Sequence, residues 1–317
     1  MSDAGVWLRL VAAFGAVALG AAAVVIVVVL AHRTPGPVAS AASRPQTTAT
    51  GTTEEQTRFP APPEGAVVFS RQDGSDVLAL AVVPGRTLGL QASVVGQSGG
   101  VGGLQVSFRV GTRVTEAESC GAGCYRATTS TGGAPTTVVV NVRRTNRTTK
   151  WVVWMPRPWP PRDASALVAR AARAFGTLRT LVTRDRLASD AQHALLTHWK
   201  LVAPDRLSYQ IVNGAAGVII GKRRWDKLPG EEWKEAEQAP IRQPAPFWTA
   251  STDAHVLEST KHAWRLSFFD PKSPAWYELL VEKRSLRTLD LKMNTTAHFM
   301  HEIYGPFNAP LRIKPPK

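Results

Sequence analysis

The chain has 317 residues, 44% of them apolar, and 38 Lys and Arg against 24 Asp and Glu give a formal net charge of +14. That length accommodates two ordinary domains plus an anchor, and that apolar fraction excludes a chain too polar to build cores. The charge is uneven: between Arg143 and Arg186 eleven Lys and Arg meet two acids, Asp163 and Asp185, so this stretch alone supplies +9. Such a block is either a solvated face or an attraction to anionic lipid or nucleic acid.

At the N-terminus, Leu10–Ala31 is a run of 22 uncharged residues. As a helix it crosses a hydrocarbon core of about 30 Å. It exceeds the apolar stretch of about 7–15 residues in a secretory signal, so residues 1–31 read as an uncleaved transmembrane anchor. A cleaved signal ending at the small residues Ala39–Ala41 is the alternative. Arg9 before the run and His32-Arg33 after it nearly balance. The orientation therefore rests on the long downstream body and its close pair of cysteines, and both favour the outside. The expected location is the cell membrane, with one pass and an extracytoplasmic body. There nucleic acid is not an expected partner, and the basic block faces membrane lipids.

Residues 32–64 are rich in Pro, Thr, Ser and Ala and nearly empty of large apolar side chains. Such a segment buries too little surface to offset its ordering entropy, so it reads as a disordered linker. From residue 65 to 145 short runs such as DVLALAVV, LQVSFRV and TTVVVNV alternate with Gly, Pro, Ser and Asp. This pattern predicts a small Greek-key β-sandwich. Cys120 and Cys124 enclose Gly121-Ala122-Gly123. Outside the cytoplasm they are expected to form a disulfide, with the glycines letting so short a loop close.

Arg143–Asp163 is Arg-rich, then Pro-rich, and reads as a last strand running into a linker. Asp163 is placed to cap a helix on which Leu167, Ala171, Phe175 and Leu178 recur at helical spacing over about four turns. The rest of residues 160–317 returns to strands: Leu207, Tyr209 and Ile211 alternate, and so do Tyr277, Leu279 and Val281. One helix followed by a long meander predicts an antiparallel half-barrel wrapped around that helix, in a chain that is mainly β with an α+β second domain. Nine of ten tryptophans lie between Trp151 and Trp276, and a fold that collects them encloses a wide apolar interior.

Two resemblances enter here. The opening helix and HWKLVAPDRLSYQIVNGAAGVIIGKRRWDKLPGEEWKE make residues 160–313 resemble the LolA/LppX-like lipoprotein carriers. That resemblance implies an unclosed half-barrel with a hydrophobic cavity for acyl chains. VFSRQDGSDVLALAVVPGRTLGLQASVVG followed by CGAGCYRAT makes residues 65–143 resemble the extracytoplasmic sandwich of CopC/CopD-type and YtkA-like proteins. It implies a CopD-like membrane partner and adds to a link with copper resistance that comes from AHFMHEIYGPFNAPLRIKPP, which departs from the carrier pattern and looks like the tails of actinobacterial-type copper-resistance membrane proteins. Residues 65–143 hold no His and no Met, so the copper site of that family does not carry over.

Three readings of function follow. In the first, the half-barrel holds a lipid or other apolar ligand, with Trp199, Trp225, Trp264, Trp276, Met293 and Phe299 as candidate lining residues. In the second, the protein handles copper: Met and His suit soft Cu(I), and His298, Met300 and His301 are the candidate ligands, with a further one from His255 or His262. On a single strand Leu289–Met300, Met293 and Phe299 share the core face while His298 and Met300 share the other. In the third, the chain is a structural accessory subunit of a membrane complex. No G-x-S-x-G, H-E-x-x-H, P-loop or dinucleotide fingerprint occurs, so no enzyme activity and no cofactor is expected.

Overall fold

The computed structural model describes residues 60–248 and 253–317. The expected membrane span and residues 32–59 of the expected linker lie outside the described residues. Among those described, no helix is long and apolar enough to cross a membrane. The body starts earlier than expected, because residues 60–64 belong to it. The Pro60 and Ala61 carbonyls accept hydrogen bonds from Ser93 Oγ (2.9 Å) and Gln91 Nε2 (2.8 Å). Both side chains are buried and need partners there.

Ten strands follow: β1 (Val67–Asp73), β2 (Asp76–Val83), β3 (Thr87–Gly96), β4 (Gly99–Gly100), β5 (Gln105–Val110), β6 (Arg113–Glu116), β7 (Glu118–Gly121), β8 (Cys124–Ser130), β9 (Thr137–Arg143) and β10 (Thr148–Trp154). They form two antiparallel sheets, β1-β2-β3-β8-β7 with β4 on β3, and β10-β9-β5-β6. The sandwich thus extends past residue 145 to Trp154, since β10 pairs along its whole length with β9. Leu78, Leu80, Leu90 and Val94 of one sheet meet Val106, Phe108, Val138 and Val140 of the other. Cys120 and Cys124 form the expected disulfide, with Cα atoms 5.0 Å apart. Gly123 has φ 71° there, and a Cβ on it would lie 2.4 Å from the Val94 carbonyl oxygen.

The second part holds α1 (Ser165–Gly176), β11 (Thr180–Ala188), β12 (Ala194–Val202), β13 (Arg206–Ile211), β14 (Ala216–Ile220), β15 (Arg223–Lys227), β16 (Lys234–Glu237), β17 (His255–Ser259), β18 (Ala263–Asp270), β19 (Ala275–Glu282), β20 (Thr288–Thr295) and β21 (His298–Phe307). The helix is about one turn shorter than expected, and Leu178 lies beyond its end. Asp163 supports its start: Oδ1 accepts from the Ser165 N–H (3.3 Å) and hydroxyl (2.6 Å).

All eleven strands join one antiparallel sheet, ordered β16-β15-β14-β13-β12-β11-β21-β20-β19-β18-β17. The helix residues Val168, Ala171 and Phe175 share one core with residues of β11, β21, β20, β19, β18 and β17. Six strands span about 24 Å and a helix about 10 Å, so the sheet must curl around the helix. The two end strands do not pair, which leaves the half-barrel open. The β17 edge is covered by the incoming chain: the Val256 N–H donates to the Arg162 carbonyl (3.1 Å) and the Ala164 N–H to the Ala254 carbonyl (2.7 Å). The β16 edge is short and charged, Lys-Glu-Ala-Glu, which discourages further pairing.

The sandwich and the half-barrel share a core. On β2, Leu78, Leu80 and Val82 point into the sandwich. The alternate residues Val77, Ala79 and Ala81, with Ala66 and Val68, pack against Ala188, Phe269, Trp276 and Phe299 on the outer face of the curled sheet. Asn294 Nδ2 donates to Ser70 Oγ (2.8 Å) across the same junction.

Residues 289–300 form a hairpin rather than one strand. Thr295 pairs with His298 across a turn in which Ala297 has φ 56°. Met293 consequently faces its cross-strand partner Met300, not Phe299.

Candidate functional site

The strand register fixes which side chains share the inner, helix-facing surface of the sheet. On β11 these are Leu181, Thr183, Asp185 and Leu187, and on β21 they are Met300, Glu302 and Tyr304. Continuing outward, Trp199 is the cross-strand partner of Thr183 and Tyr209 of Trp199, Gly217 opposes Tyr209, and Asp226 opposes Gly217. A row of polar groups therefore crosses the floor of the half-barrel from β21 to β15.

Its centre is a pair of buried carboxyls. Asp185 and Glu302 are direct cross-strand partners, 9% and 4% exposed. Glu302 accepts hydrogen bonds from Thr183 Oγ1 (2.6 Å) and from the Tyr304 hydroxyl (2.6 Å). Burial nevertheless pushes its carboxyl up to about 7, because the two bonds offset only part of the desolvation. Burial, and then the charge of Glu302, push Asp185 up to about 8, against a hydrogen bond with the Trp199 indole. Near neutral pH the pair therefore holds a proton. The Asp185 Oδ1 atom is buried and has no hydrogen-bond partner among the described residues.

The row ends at a largely buried ion pair. Arg224 Nε lies 2.8 Å from Asp226 Oδ2, and the Tyr209 hydroxyl is hydrogen-bonded to both residues. Burial, and then the Asp226 charge, push Tyr209 up to about 12. Arg224 Nη2 is a second buried atom without a hydrogen-bond partner among the described residues. Gly217 makes this arrangement possible, since a Cβ there would lie 2.2 Å from Tyr209 Cε1. The Tyr209 ring crosses β14 over the bare glycine, and the Trp199 ring rests beside it with centroids 5.3 Å apart.

The six expected lining residues divide between the two faces. Trp199 is on the inner face and half-buried. Trp264 and Met293 are also inner, flanking the helix core, and Arg162 and Lys283 lie over the Trp264 ring at 5.6 and 5.3 Å. Trp225, Trp276 and Phe299 are outer. Trp225 packs with Val218 and Ile313 of the C-terminal tail, while Trp276 and Phe299 are walled in by the sandwich. The sandwich gives the outer face an apolar partner, so an aromatic ring is not confined to the inner one.

The three candidate copper ligands do not converge. Met300 points into the helix core, whereas His301 sits on the opposite face with Nε2 2.7 Å from Asp290 Oδ2. His298 Nδ1 is 2.9 Å from the Thr296 carbonyl in the hairpin turn. Among the described residues no group of three or more His, Cys, Asp or Glu is placed to hold a metal.

Sequence reasoning missed the Asp185–Glu302 pair because β11 and β21 lie at opposite ends of the domain. The available signal was parity: Asp185 occupies the same phase as Leu181, Thr183 and Leu187.

No family model matches the chain, and no curated protein matches it. A LolA superfamily protein from Nitrosomonas europaea is similar in structure at 14% identity and a TM-score of 0.22, covering 46% of this chain and 94% of that one. A DUF1329 family protein from Desulfovibrio piger is similar at 11% identity and a TM-score of 0.26, covering 48% and 93%. At such scores neither likeness fixes the fold, which rests on the strand order above. Neither of these two proteins is named as a CopC-, CopD- or YtkA-like protein.

Proposed function

We propose that the protein binds a lipid-like amphiphile on the inner face of the half-barrel, and that it acts by binding rather than by catalysis. We propose further that it does so on the extracytoplasmic side of the membrane, held there by residues 1–31. One observation carries the binding reading. The helix core takes in β11 and β17–β21, while on β12 and β13 Leu195, Trp199 and Ile211 remain half-exposed on the inner face. An apolar chain laid there gains about 25 cal/mol for each Å² removed from water. The buried polar row beside it offers hydrogen bonds to a head group. A fatty acid with a photoactivatable chain, added to the full-length protein, should crosslink to peptides of β12 and β13. Trp199→Asp should cut that yield, because an unpaired charge in an apolar site is costly; Val114→Asp on the sandwich and added Cu(I) should not. Labelling spread evenly over the body, or unchanged in Trp199→Asp, would refute the proposal.

A further inference from the structure

The outer face of the half-barrel carries a second surface, separate from the ligand face. The outward residues of β11 include Arg184 and Arg186, between Val182 and the sandwich-covered Ala188. Arg184 is paired in register with His198 of β12 and Ile303 of β21, and Arg186 with Leu196 and His301. Lys200 follows two residues on from His198 along the same face. Leu196 is 49% exposed and Ile303 51%, and Val212, whose N–H donates to the Leu196 carbonyl, is 45% exposed. Arg184, Arg186, His198 and Lys200 are all exposed. None of them forms an ion pair with a carboxylate among the described residues, and Asp290, two strands from β11 on the same face, is held by His301. Three cations and an imidazole thus alternate with three bare aliphatic side chains over adjacent strands.

We propose that this patch docks on an anionic bilayer surface. Each half of its chemistry has a use there. Lys and Arg near a leaflet of anionic lipid are drawn to it, each worth about fivefold in partitioning. Aliphatic side chains between them enter the boundary between head groups and acyl chains. A phosphate backbone of nucleic acid would match the cations but offers nothing to Leu196, Val212 and Ile303. The position in the chain is compatible. The apolar run Leu10–Ala31 precedes the described body by 28 residues, a reach of at most about 100 Å at the extended rise per residue. A chain held by that run keeps the patch within reach of the same leaflet.

The test uses the full-length chain in vesicles of phosphatidylcholine alone or with phosphatidylglycerol. The native cysteines are joined, so Leu196→Cys offers one thiol for an environment-sensitive fluorophore. Its emission should shift blue and be quenched by spin-labelled lipid in the anionic vesicles. The effect should vanish at high salt and be absent from phosphatidylcholine alone, where any N-terminal anchoring persists. A fluorophore at Val114→Cys, exposed on the sandwich, should report nothing. Replacing Arg184, Arg186 and Lys200 together by Gln should lower the docked-to-undocked ratio about a hundredfold. Quenching that is equal at both sites, insensitive to salt, or unchanged in the triple variant overturns the proposal. So does a fluorophore that ignores anionic lipid but responds to an oligonucleotide.

Discussion

The two halves of the curled sheet obey the same alternation and end in different states. Under the helix, Leu266, Phe268, Leu279 and Leu291 are fully buried, and Phe175 meets Trp248 and Tyr304 edge-on at 5.3 and 5.4 Å. On β12–β15 the corresponding inward positions hold Trp199, Ile211, Tyr209, Arg224 and Asp226, part polar and part exposed. A sheet needs only one filled half to be stable. The other half is free to keep buried charges and uncovered rings, features that cost stability and that a ligand can use.

The sharpest way to test that division is to damage the filled half. Phe175→Ala should cost about 3–5 kcal/mol of stability by leaving a cavity between Trp248 and Tyr304, measurable by urea unfolding. Acyl crosslinking to β12 and β13 in the protein that remains folded should persist. Gly217→Ala tests the other half. Its Cβ would force the Tyr209 ring off β14, which should cost about 1–3 kcal/mol and loosen the Arg224–Asp226 end of the polar row.

The carboxyl pair should show itself in pH dependence. Asp185 and Glu302 titrate higher in the folded chain than in the unfolded one, so the native state holds protons that the unfolded state has lost. Stability should fall as pH rises from about 5 to 8, by roughly 1.4 kcal/mol per pH unit for each proton held. Asp185→Asn should flatten that slope, because the amide stays neutral throughout. A melting temperature that rises over this range would contradict the buried pair. The smallest effect belongs to the half-exposed rim: Ile211→Ser should change stability by no more than about 0.5 kcal/mol yet reduce acyl crosslinking.

Much of the architecture was legible in the sequence. Period-two alternation marked β13 and β19, helical spacing marked α1, and two glycines marked the disulfide turn. The facing of individual aromatics was not legible, and Phe268 and Phe269 show why. Adjacent apolar residues on one strand signal two buried faces, but not which body covers the second. The sandwich covers it, some two hundred residues earlier in the chain. The hairpin at 289–300 failed for a local reason. Thr296-Ala297 lacks the Asn-Gly or Asp-Gly chemistry by which such turns are usually recognised. The carboxyl pair needed the contact between β11 and β21, which no local pattern specifies.

The doubly buried β2 has a mechanical consequence. By wedging Ala79 and Ala81 against Phe269, Trp276 and Phe299, it splints the back of the half-barrel, so the sheet cannot breathe evenly. The wing β12–β16 has the short C-terminal tail behind it at Ile313 in place of the sandwich, and it ends in a free edge, so motion of the sheet should concentrate there. Amide hydrogens of β2, β18 and β19 should exchange with solvent orders of magnitude more slowly than those of β14–β16. Equal rates would mean that the back is no stiffer than the wing. On this reading the sandwich acts as the fixed post on which the wing swings.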